Sequence, residues 1–108
     1  MKSILVPVDT TNPIRVVDVN GYDEIVKSIG GGWLQAIYPF EESVSCFIDE
    51  EGKLKALPVN VRATDLVKHA LMADDLINGE MLIMGIDYET GEEVDLSEEF
   101  ILKIMEKN

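Results

Sequence analysis

The sequence is poor in several residue types at once. Among 108 residues it has one cysteine, one tryptophan, one histidine and two arginines. A lone cysteine, Cys46, excludes an intramolecular disulfide and fits a reducing compartment. One cysteine and one histidine also leave no zinc-ligand spacing. Basic side chains are scarce: 9 Lys and Arg stand against 21 Asp and Glu, a formal net charge of -12. That balance excludes a general nucleic-acid binder, because the phosphate backbone demands an excess of cations. No stretch approaches the ~18 consecutive apolar residues of a membrane helix. The apolar start is too short for a signal peptide, and Asp9 interrupts it before any small-residue cleavage site. The chain reads as a soluble cytoplasmic protein with no membrane partner.

What is present suits one globular domain spanning 1–108. The chain is 46% hydrophobic and 28% charged, too apolar for disorder. Charge is unevenly spread. Residues 1–73 hold 10 acids and 7 bases, whereas 74–108 hold 11 acids and 2 bases. The final third is an acidic block, serving either a separate partner or simple solubility.

Ser3–Val8 and Ile14–Val19 are β-branched runs separated by Thr10-Thr11-Asn12-Pro13, which predicts a hairpin. Tyr22, Ile25, Val26 and Ile29 form one helical stripe, ended by Gly30-Gly31-Gly32. Trp33–Tyr38 predicts a strand stopped by Pro39, and Val44–Asp49 another with Val44, Cys46 and Ile48 on one face. Glu50-Glu51-Gly52 predicts a turn returning through Lys53–Leu57. After a loop over 58–62, Asn60 or Thr64 caps a helix with Leu66, Val67, Ala70 and Leu71 on its apolar face. Glu80–Ile86 predicts a central strand and Asp87–Glu93 an acidic turn. Asp95 and Glu98 resemble a capping box for a last helix at about 95–107, with Leu96, Phe100 and Ile104 buried. Strands and helices do not alternate strictly, so the prediction is an α+β domain: a largely antiparallel sheet with about three helices.

Two segments carry a family resemblance. They are the run from Asp49 to Thr64, with its Leu57-Pro58-Val59-Asn60-Val61-Arg62-Ala63-Thr64 ending, and the run from Ile77 to Gly85. They resemble the domain of unknown function 3846, a family of phages and bacterial mobile elements. The resemblance runs over roughly residues 1–88 and sets the acidic C-terminal stretch outside the family core. It implies a phage or mobile-element context, the host cytoplasm as the place of action, and a counter-defence role. It implies no reaction.

Asn60, Arg62, Ala63 and Thr64 form the first candidate site. Arg62 offers a planar donor fork at the start of a helix, where free N–H groups favour an anion. The alternative is structural: Asn60 or Thr64 only caps, and Arg62 pairs with an acid. Gly31, Gly32 and Trp33 could bring backbone and a stacking ring to a ligand, or else end a helix with Trp33 in the core. Tyr38, with Pro39 and Phe40, either lines the same pocket or forms a core rim. The carboxylates of Asp87, Glu89 and Glu93 lack the rhythm of a calcium loop and read as a solvated turn. Cys46 and His69 carry no catalytic signature; Cys46 reads as a core residue and His69 as exposed.

With no nucleophile–base pair, metal or cofactor in view, the first functional expectation is a non-catalytic binder. Its ligand would be small and anionic, nucleotide-like or phosphorylated, such as a host immune signal to be sequestered. The apolar helix faces leave room for a homo-oligomer. The alternative is an acidic inhibitor that imitates nucleic acid and binds a host defence protein.

Overall fold

A computed structural model of the chain describes residues 1–41 and 43–107. Six strands form one antiparallel sheet: β1 (Lys2–Val6), β2 (Arg15–Asp18), β3 (Leu34–Ile37), β4 (Val44–Asp49), β5 (Met81–Ile86) and β6 (Glu93–Val94). The order is β2-β1-β5-β4-β3, with β6 paired to the end of β5. Three helices accompany it: α1 (Gly21–Ser28), α2 (Val61–Val67) and α3 (Glu98–Lys107). A 3-10 turn over Lys68–Ala70 extends α2. The α+β architecture is the one expected.

The sequence Met-Leu-Ile-Met-Gly-Ile explains why β5 is central. It is apolar at nearly every position, so both faces must be covered. Met81 and Ile83 join Ile4, Val6, Val44, Cys46 and Ile48 on one face, beneath Leu66 and Val67 of α2 and Phe100, Ile101 and Ile104 of α3. Leu82 and Met84 face the other way, toward Val19, Ile25 and Ile29 at α1. Each such fully buried side chain stabilises by about 1.5–3 kcal/mol relative to exposure. The first layer holds most of the core, and α2 and α3 therefore lie together over one face.

Three local expectations need correction. Lys53–Leu57 is no strand but a series of turns, with Leu57 N–H donating to the Gly52 carbonyl. Its partner would have been β4, whose two edges are already occupied by β3 and β5. The acidic turn is shorter than predicted, because Glu93–Val94 pairs as β6 with Gly85 and Ile86. Gly85 permits this crossing: a Cβ there would stand 2.6 Å from the Val94 carbonyl oxygen. Finally, Ser97 caps α3, accepting from the Phe100 N–H, while Asp95 accepts from the Lys2 N–H and Glu98 binds the Lys2 ammonium. Long-range contacts to β1 thus take both residues of the expected capping box.

Candidate binding site

Asn60 is fully buried at the start of α2. Its Oδ1 accepts from the Ala63 N–H at 3.0 Å, and its Nδ2 donates to the Val6 and Gly79 carbonyls. One side chain therefore caps the helix and joins it to the end of β1 and to the segment that enters β5. Thr64 Oγ1 donates to the Asn60 carbonyl and accepts from the Ile77 N–H. Ala63 is fully buried.

Arg62 turns toward the β1–β2 loop. Its Nη2 stands 2.8, 2.9 and 2.7 Å from the carbonyl oxygens of Pro7, Asp9 and Asn12. The guanidinium pairs with backbone rather than with a carboxylate, and its buried Nε has no hydrogen-bond partner. These four residues are brought together, but around one another and the chain itself. Neither of the two surface cavities described below is lined by them.

The glycine run ends α1 as expected. The Gly30 N–H donates to the Lys27 carbonyl and the Gly31 N–H to that of Val26, a Schellman closure. The third glycine answers to packing: a Cβ on Gly32 would lie 2.6 Å from Asp49 Oδ2 and 2.7 Å from Lys55 Nζ. Asp49 is buried and held by Lys55 at 2.7 Å and by the Glu51 N–H at 2.9 Å. Burial pushes its carboxyl upward, yet the Lys55 hydrogen bond, the Glu51 N–H and the Lys55 charge outweigh that and hold it below the usual carboxylate range. Trp33 is 66% exposed, so the core alternative for it is corrected. It precedes Leu34, the first paired residue of an edge strand. Tyr38, at the other end of β3, is 61% exposed and stands apart from Trp33.

The larger cavity, about 730 Å³, lies between α2 and α3 against the chain at 39–41. Phe40, Leu66, Phe100 and Ile104 form its apolar part, and Phe40 meets Phe100 edge-on with centroids 5.3 Å apart. Lys68, His69 and Lys103 line it, together with the carboxylates Glu41, Asp65 and Glu99. Lys68 pairs with Asp65 at 3.0 Å in an exposed contact. Among the described residues no carboxylate lies within ion-pair distance of Lys103. His69 Nε2 is 2.6 Å from the Pro39 carbonyl. A carbonyl only accepts, so this nitrogen carries the proton and Nδ1 is left to accept in the neutral ring.

The aromatic run Tyr38-Pro39-Phe40 had pointed to a pocket, and Pro39 and Phe40 do line this one, whereas Tyr38 does not. Lys68, Lys103, Ser97 and Phe100 were missed. Lys68 follows α2, whereas Ser97, Phe100 and Lys103 belong to the cap and body of α3 about thirty residues later, and no local spacing links them. The burial of Cys46 pushes its thiol up to about 12, and no hydrogen bond joins it to His69 among the described residues. Among those residues no three His, Cys, Asp or Glu side chains gather as a metal group. No described helix is long and apolar enough to cross a membrane.

The sequence profile of a family described as a domain of unknown function (DUF3846) matches residues 1–108. The match reaches the end of the chain, so the acidic C-terminal stretch lies inside the family pattern and not outside it. No curated protein and no solved structure matches the chain.

Proposed function

The chain belongs to the DUF3846 family along its whole length, and on that premise we propose that it is a non-catalytic binding protein for a small anionic, nucleotide-like ligand held between α2 and α3. One observation carries the reading: on a chain of net charge -12, a single cleft gathers two lysines and the only histidine beside two phenylalanines. Lysines suit phosphate as point charges, and a Phe face suits a flat ring. The three carboxylates accept from hydroxyl or amino groups, as a ribose or base would offer. The volume is that of a small-molecule site.

This moves the ligand away from Arg62, whose Nη2 is engaged by three carbonyls. In the phage or mobile-element setting of the family resemblance, the use of such a protein is to sequester a host signalling nucleotide. Sequestration needs burial and polar complementarity, and no nucleophile.

Calorimetric titration with cyclic and ADP-ribose-type nucleotides tests the reading. Heat of binding is expected with at least one, weakened about tenfold or more by Lys68→Gln with Lys103→Gln. Silence across the panel, or heat indifferent to both lysines, sinks it. The alternative, an acidic protein that binds a basic host protein, draws on the acidic stretch over 74–108.

A further inference from the structure

A second cavity, about 350 Å³, opens where β3 ends and the β5–β6 turn begins. Tyr38, Ile86, Asp87, Tyr88 and Gly91 line it. Tyr38 and Tyr88 are 61% and 70% exposed; Tyr22, the third tyrosine, is also exposed but lies away on α1, so these are the two that share a notch. Gly91 contributes no side chain to its part of the lining. Asp87 Oδ1 accepts from the Glu89 and Thr90 N–H groups, which anchors the carboxylate in the turn. Two tyrosines and an aspartate border a notch whose surface is almost wholly apolar; aromatic rings attract a cation, and an acidic neighbour offsets its charge.

We propose that this notch docks an extended basic segment of another protein, inserting one of its Arg or Lys side chains between Tyr38 and Tyr88 beside Asp87. Charge complementarity chooses this occupant. The same turn carries Glu89 and Glu92, Glu93 follows at the start of β6, and residues 74–108 hold 11 acids against 2 bases. A small amine would engage only the notch, whereas a basic segment also meets the carboxylates that follow it along the turn. Nucleic acid and anionic membranes are repelled by the same charge. Exposed tyrosines ringed by polar groups are the usual anchors of protein interfaces. The notch is separate from the α2/α3 cleft, and the two proposals stand or fall independently.

The test uses a fluorescently labelled peptide of alternating Arg and Ser and the full chain, read by fluorescence anisotropy at 150 mM salt. Wild type binds. Tyr38→Ala and Tyr88→Ala each weaken binding about fivefold or more, and the Phe variants retain it, because the ring and not the hydroxyl acts. A charge control, Asp23→Asn with Glu24→Gln on α1, changes binding much less. Three outcomes overturn the proposal. The alanine variants bind like wild type; the α1 control weakens binding as much as they do, leaving only bulk charge; or choline displaces the peptide at equal concentration, making the occupant a small quaternary amine. Both tyrosines are largely exposed, so circular dichroism of the variants is expected to match wild type.

Discussion

Lys55 Nζ reaches the buried Oδ2 of Asp49 at 2.7 Å, and the backbone of Gly32 lies against that pair. The contact closes the turn after β4 onto the loop before β3, so a carboxylate and a glycine that look like surface features act as one packing unit. Because Asp49 titrates lower folded than unfolded, its contribution is present above the unfolded value of about 3.9 and fades as pH falls through the lower folded one. Asp49→Asn is expected to destabilise by about 1–3 kcal/mol at pH 7. Urea denaturation at pH 7 and pH 3 checks this. The difference from wild type narrows at pH 3; an equal gap at both pH values would show that the ionised form is not what stabilises.

Arg62→Ala removes the tether of the β1–β2 loop. A loss of about 1.5–3 kcal/mol is expected, the range for hydrogen bonds from a charged donor. Hydrogen exchange at residues 8–13 should speed up more than exchange in β5. Nucleotide heats at the α2/α3 cleft should survive; their selective loss in a folded Arg62→Ala protein would return the ligand to Arg62.

Asn60 has the most demanding position in the chain. Alanine there strands the Val6 and Gly79 carbonyls and the Ala63 N–H in the interior. Asn60→Ala is expected to lose about 3 kcal/mol or more, from several unsatisfied groups at once. Asn60→Asp keeps the cap but forfeits both donors, and should be nearly as damaging. Thermal melts of the two variants separate the contributions.

Ser45 runs the other way. Its hydroxyl is buried on β4 with no hydrogen-bond partner. Ser45→Ala removes an unsatisfied group at small loss of volume, so stability should hold or rise by up to about 1 kcal/mol. A drop of more than that in a urea titration would reveal a partner for the hydroxyl.

Cys46 should be inert in the native state. A buried thiol pushed up to about 12 carries almost no thiolate at neutral pH. Ellman's reagent should label it only as fast as the protein unfolds; prompt labelling of folded protein contradicts the packing around β4.

The local physics of this chain was open to reading. Val44, Cys46 and Ile48 alternate and are buried on one face, and Leu96, Phe100 and Ile104 recur every four residues and bury the inner side of α3 and its approach. Asn60 stood as one of two candidate caps, and it is the one whose side chain closes the helix. What escaped was any feature whose reason lies far along the chain. Lys53–Leu57 looks like a hairpin return until β3 and β5 take both edges of β4. Asp95 and Glu98 look like a helix cap until Lys2 claims them.

The order of residues alone therefore determined the fold class, the central strand, the buried faces and the acidic character, because periodicity and composition act over a few residues. The tertiary structure alone decided what the polar residues do. It turned Arg62 inward to three carbonyls, sent Tyr38 and Phe40 to different cavities, and brought Lys68 and Lys103 to one cleft. Side chains choose partners by distance in space, and that distance exists only once the sheet has closed.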